Sequence, residues 1–217
     1  MKLRIKKELS SILIVAIPFI YLAFIWKDLP DSVPVHWNLK GEIDRYGSKN
    51  ELWILPIVLP LLTYLIFLLV PFIDPKKQIE SMGSKYHQLK LFLVLFMSLL
   101  CVYLIYATSI ESMVGTKLLF LGIGALISIV GIYMPYIKPN YFIGVRTPWT
   151  LENNEVWKAT HKLTGHIWVI TGVLLALIAF GIDQQHFFWV FMGLILVIAF
   201  IPILYSYLKF KELDEGL

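Results

Sequence analysis

Read from the N-terminus, the chain alternates long apolar stretches with shorter polar connections. Six apolar blocks run from Leu9 to Trp26, Leu52 to Ile73, Leu91 to Ser109, Leu118 to Ile137, Leu163 to Ile182 and Phe187 to Leu208, and none contains Asp, Glu, Lys or Arg. Each block is about 18 to 22 residues, the length a helix needs to cross the hydrocarbon core of a bilayer. Lipid offers backbone N–H and C=O groups no partner, so a spanning segment must satisfy them internally; with period-two alternation absent, a transmembrane barrel is disfavoured. The pattern predicts an all-α integral membrane protein, a bundle of six transmembrane helices.

Composition adds that nothing else of size is present. Of 217 residues, 58% are hydrophobic and only 16% charged, so the six spans leave too little polar chain for a separate soluble domain. The organisation divides into an N-terminal two-helix region over 1–73 with a loop at 27–51, a third helix with its linkers over 74–117, and a C-terminal region over 118–217 with a loop at 138–162.

Charge sets the orientation. Fourteen of the 19 Lys and Arg fall on one side of the six spans, among them Lys2, Arg4, Lys76, Lys85, Lys90, Lys138, Arg146, Lys158, Lys162, Lys209 and Lys211. The other side holds Lys27, Lys40, Arg45, Lys49 and Lys117. The positive-inside rule then assigns both termini to the cytoplasm, makes loop 27–51 external, and reads the first span as a retained signal anchor. The basic excess belongs to helix flanks, and nucleic acid is not an expected partner because no basic patch is interleaved with exposed aromatics. Cys101 is the single cysteine and lies within a span, which excludes an internal disulfide or a cysteine metal site.

Two loops carry candidate chemistry, while 74–90, 109–117 and 183–186 read as simple connections. In the external loop, Pro30 and Pro34 forbid a continuing helix, Val33 to Trp37 suits an extended piece, and Gly41 and Gly47 are placed for turns. His36, Trp37, Asn38, Glu42 and Asp44 form the candidate ligand-binding set; the alternative is that Trp37 and Tyr46 anchor the loop at lipid headgroups. One histidine and two carboxylates at loose spacing fall short of a metal pattern, so no metal and no cofactor is expected. In the cytoplasmic loop, Thr150 is placed to cap a helix starting near Leu151, on which Trp157 and His161 share a face with Asn154. Arg146, Thr147, Pro148, Trp149, Asn154, Trp157 and His161 form the candidate partner-binding set, with an interfacial elbow resting on membrane lipid as the alternative. Within the spans, Gly124 with Ser128 and Gly172 with Ala176 have the spacing of close helix contacts.

The run Ile143-Gly144-Val145-Arg146-Thr147-Pro148-Trp149-Thr150-Leu151, followed by Val156-Trp157-Lys158 and Thr160-His161, closely resembles the signature of the SdpI family of bacterial membrane immunity proteins. Leu29 to Lys49, with Val35-His36-Trp37-Asn38 and the Gly41, Glu42, Asp44 and Gly47 spacing, resembles the N-terminal domain of unknown function found in many members. The resemblance implies a multi-pass protein of the bacterial cytoplasmic membrane that protects its cell against a secreted, membrane-active antimicrobial peptide toxin. It also implies, as a separate role, a receptor that holds a cytoplasmic winged-helix repressor at the membrane. It does not imply an enzyme.

The competing classes are a small-solute transporter and a membrane-embedded hydrolase. Spans free of Asp, Glu, Lys and Arg argue against ion-coupled transport. Hydrolysis needs a nucleophile with a base, or a metal, and the only pairs to consider are His36 with Asp44 and His161 with Glu155.

Overall fold

An apolar run in lipid satisfies its backbone by coiling, and in the computed structural model every one of the apolar blocks is helical. The structure describes residues 5–38, 40–112 and 116–215; Lys2, Arg4, Leu39 and the stretch 113–115 lie outside the described residues. Helix α1 (Ile5–Ile25) leads into strands β1 (Ser32–Trp37) and β2 (Ile43–Ser48). The second span is composite: a 3-10 turn Lys49–Trp53, α2 (Ile54–Pro56), a π turn Ile57–Leu61 and α3 (Leu62–Ile73). After α4 (Gln78–Ser81) come α5 (Ser84–Ser109) and α6 (Thr116–Tyr133), the latter closed by a 3-10 turn Met134–Tyr136. The chain ends with α7 (Pro148–Glu152), α8 (Asn154–Gly181) and α9 (Gln184–Asp214).

Among the described residues, six helical segments are long and apolar enough to cross a membrane. Large side chains such as Phe24, Leu118, Phe180 and Phe200 are mostly exposed, as lipid-facing residues are and as water-facing ones rarely are. The protein is therefore an all-α membrane protein, with one small two-stranded sheet among the described residues. By contact it forms two compact units, 1–69 with 90–119, and 70–89 with 120–217.

In the first unit, Leu22, Leu29, Val33, Leu52, Cys101 and Ile105 are buried together, so the strand region shares a core with the ends of the helices. The π turn contains Pro60, whose missing N–H and bulky ring a regular α turn would not accommodate; widening the turn absorbs it. Glu8 and Lys90 stand immediately before apolar blocks, where hydropathy alone makes them water-facing flanks. Instead both are almost fully buried, with Lys90 Nζ donating to the two Glu8 carboxylate oxygens at 2.6 and 2.7 Å.

The second unit is built on close helix approach. A Cβ added at Gly124 would lie 2.6 Å from the Gly172 carbonyl oxygen and 3.0 Å from the Ala176 nitrogen, so the small-residue spacing on α6 and α8 does mark their contact. A second crossing, absent from that pattern, joins Gly131 and Gly165, where an added Cβ would meet opposing backbone at 2.8 Å. Ile127, Leu175, Ala179, Phe187 and Ile198 fill the core between α6, α8 and α9, with Phe120 and Phe187 stacked at 3.9 Å. Asp183 caps α9 by accepting the His186 N–H at 3.1 Å, and that bond, with a second from the His186 ring, holds its carboxyl below the ordinary value.

Candidate functional site

The first candidate is the hairpin of β1 and β2. Asn38 makes its turn: the side-chain oxygen accepts the N–H of Lys40 at 2.8 Å and of Glu42 at 3.1 Å, while the amide donates to the Glu42 carboxylate at 2.9 Å. Gly41 supplies the positive φ the turn needs, at 79°. The strands pair antiparallel, with Val33 opposite Gly47 and Trp37 opposite Ile43. Gly47 is not a turn residue as its type suggested. It lies in β2, where a Cβ would run into Glu51; its bareness leaves room for Glu51 to accept the Ser48 N–H at 3.0 Å and close a capping box.

Several contacts hold the hairpin down. Val33 is fully buried, the buried Thr108 hydroxyl donates to the Pro34 carbonyl at 3.2 Å, and Lys49 bridges to the Leu29 carbonyl and the Asp31 carboxylate at 3.2 and 3.0 Å. Beneath it lies a cavity of about 210 Å³ bordered by Val35, Trp37, Arg45, Glu51, Leu55 and Leu104. Trp37 borders it, and its indole N–H is buried with no acceptor among the described residues. A buried donor without a partner is costly, so it marks a place where an incoming carbonyl or hydroxyl is favoured. His36 and Asp44 sit on the exposed side, Nδ1 to carboxylate at 2.6 Å. Of the five candidates, Asn38 and Glu42 are therefore committed to the turn, while Trp37 borders the cavity and the His36–Asp44 pair is exposed. No group of three His, Cys, Asp or Glu is disposed to hold a metal among the described residues.

The second candidate is the elbow between α6 and α8, which the structure builds differently from the spacing expectation. Thr150 does not begin a helix at Leu151. Thr147 is the cap of α7, with Thr147 and Thr150 exchanging backbone N–H to side-chain oxygen bonds at 3.2 and 2.9 Å, because Pro148 is preorganised for the first helical position. The chain then extends at Asn153, φ −126°, whose side chain accepts the N–H groups of Glu155 at 2.8 Å and Val156 at 3.2 Å and starts α8.

Trp157 and His161, one turn apart on α8, stack at 4.1 Å and are 1% exposed. The Trp157 indole donates to the Ile137 carbonyl at 2.7 Å. His161 closes the loop from both ring nitrogens. Nε2 accepts the Val145 N–H at 3.1 Å, so Nδ1 must be the protonated nitrogen, donating to the Trp157 carbonyl at 2.9 Å. Gly144, φ 106°, lies so close to that ring that a Cβ would strike Nε2. With both nitrogens engaged by backbone, His161 has no lone pair left for general-base chemistry, and the His161–Glu155 pairing does not form.

The seven elbow candidates thus separate by exposure. Thr147, Trp157 and His161 are buried parts of the elbow, and Trp149 leans on Tyr207 at 5.1 Å between ring centres. Arg146, Pro148 and Asn154 are exposed; Arg146 donates to the Tyr141 carbonyl at 2.6 Å and pairs with no carboxylate among the described residues. Sequence reading passed over Asn140, which is fully buried and bonds the backbone of Lys138, Phe142 and Ile143 at 2.7–3.1 Å. A Pro-Asn step ahead of a glycine-containing loop was the available signal for it.

Residues 136–206 match the SdpI/YfhL protein family, and residues 13–59 match a domain of unknown function, DUF1648. The chain is 28% identical over 211 residues to the immunity protein SdpI of Bacillus subtilis (strain 168), covering 96% of this chain and 98% of that protein. A shorter similarity, 34% over 59 residues, covers 27% of this chain and 32% of an uncharacterized protein of Archaeoglobus fulgidus. No solved structure matches the chain.

Proposed function

We propose that this chain, an SdpI-family multi-pass protein of the bacterial cell membrane, protects its cell against a secreted, membrane-active peptide that it meets at the outer face. The observation that carries the proposal is the end-to-end similarity to an immunity protein, which spans both loops and all six helices. The hairpin supplies the contact. With both termini in the cytoplasm, as the cation distribution favours, the hairpin faces outward, and three spans later the elbow faces the cytoplasm. A peptide backbone carbonyl entering the cavity under the hairpin satisfies the buried Trp37 N–H, and the His36–Asp44 pair meets its polar or charged groups.

The elbow is the second half of the proposal. Arg146 offers planar donors to a carboxylate or phosphate of a cytoplasmic partner, a repressor held at the membrane being the candidate, while the buried Trp157–His161 stack keeps the loop in one shape.

The test is survival. Cells expressing the chain are challenged with a peptide of the sporulation-delaying type, beside cells carrying an empty vector and cells expressing Trp37→Ala or Asp44→Ala at matched membrane level. Protection by the intact chain and its weakening in both variants is expected. Equal killing with and without the intact chain removes the immunity reading, and cleaved peptide in the medium turns it into a hydrolase.

A further inference from the structure

The lysines at the start of α8 and in the two preceding connections do more than flank helices. Lys76, Gln78, Lys138, Pro139, Asn154 and Lys158 border one open cavity of about 400 Å³. They come from three separate places: the 74–90 connection, the turn after α6, and the first turns of α8, where Asn154 and Lys158 are four apart on one side of the helix. None of the three lysines pairs with a carboxylate among the described residues. Asp74, the acid nearest Lys76 in sequence, is buried and already accepts the N–H groups of Lys76 at 3.2 Å and Ile79 at 3.0 Å, and the exposed Glu155, three residues before Lys158, does not border the cavity. Lys76 also lies over the Tyr141 ring at 4.8 Å, and Lys138 donates to the Ser81 carbonyl at 3.4 Å, so two of the three side chains are held in place.

Like charges gathered around a hollow raise one another's energy, and the positive end of the α8 dipole adds to the same field. A cavity bordered by three lysines, a helix start and two amide side chains is complementary to a compact anion with several acceptor oxygens. We infer that this cavity is a binding site for a phosphate-type anion, the phosphodiester headgroup of an anionic lipid or a free phosphate. The site does not depend on the immunity reading, since neither its residues nor its ligand take part in peptide contact.

Native mass spectrometry of the full chain in detergent reads binding directly. The chain is titrated with phosphatidylglycerol and, in parallel, with phosphatidylcholine; glycerol 1-phosphate serves as the soluble competitor. Phosphatidylglycerol is expected to bind in preference to phosphatidylcholine, with each of Lys76→Gln, Lys138→Gln and Lys158→Gln weakening it about fivefold and the triple variant about a hundredfold. Asn154→Asp guards against misfolding as the cause: an acid in the first turn favours the helix but repels an anion, so it is expected to bind weakly while unfolding no earlier than the wild type. Competition by glycerol 1-phosphate assigns the site to free phosphates as well as lipid, and its failure assigns the site to lipid. Lys211→Gln, at a lysine paired with Glu215 away from the cavity, is the charge control. If the triple variant and Asn154→Asp bind phosphatidylglycerol as tightly as Lys211→Gln does, there is no anion site here.

Discussion

Replacing His161 with Phe separates the shape of the elbow from any direct contact it makes. The substitution keeps an aromatic ring to stack on Trp157 but removes both ring nitrogens. The Trp157 carbonyl retains its helical partner. The Val145 N–H, whose acceptor at 3.1 Å was Nε2, has none. Leaving a buried donor unsatisfied costs about 1–3 kcal/mol, and His161→Ala, which also removes the stacked ring, is expected to cost roughly 3–5 kcal/mol as large aromatic truncations do. Gly144→Ala attacks the same contact from the loop side, by clash and by an unfavourable φ of 106°. Combined with His161→Ala, which removes the ring that the added methyl strikes, it is expected to cost clearly less than the sum of the two, because the clash is then absent. The assay is the unfolding midpoint of the purified protein in detergent, followed by tryptophan fluorescence, alongside protection of cells at matched expression. Midpoint and protection are expected to fall together. A His161→Phe protein that unfolds like wild type yet fails to protect would refute it, making the ring a contact for a partner.

Removing one member of the buried ion pair, by Glu8→Gln or Lys90→Gln, strands the other charge and is expected to cost about 3–5 kcal/mol, whereas Glu8→Leu with Lys90→Met together is near neutral; unfolding midpoints of the three proteins check this. Gly172→Leu and Gly124→Val are expected to force α6 and α8 apart and abolish folded protein in membrane fractions, while Gly193→Ala, with nothing within 4 Å of its Cβ position, leaves the amount unchanged. Arg146→Lys keeps the charge and loses the planar fork, so its membrane level and unfolding midpoint stay at wild-type values; loss of partner recruitment, scored with a reporter controlled by that partner, is expected, and full retention returns Arg146 to a lipid-anchoring role.

Much of the molecule was legible because lipid imposes a local rule. Any stretch of about 20 residues without charge must form a helix there, so the six spans follow from the order of residues alone. The extended piece at Val33 to Trp37 and the turn at Gly41 were equally local, since proline, β-branched residues and glycine restrict or free their own backbone. The contact of α6 with α8 was readable from Gly124 and Gly172 because small residues at a four-residue spacing leave a groove wherever they occur.

What tertiary structure decided is who meets whom across long separations. Hydropathy sorts each residue between lipid and water, and by that measure Glu8 and Lys90 belong outside; only the approach of α1 to α5 makes a buried pair the lower-energy choice. The helix break at Asn153 was decided the same way. Either Thr147, Thr150 or Asn153 is a competent cap, and the Ser206 hydroxyl 3.0 Å from Thr147, with the His161 ring under Val145, selects the bent arrangement over one continuous helix. The lysines of the basic cavity were visible one by one as flanking charges. Their convergence depends on a linker, a turn and a helix start meeting in space, and no pattern with the reach of a few residues contains it.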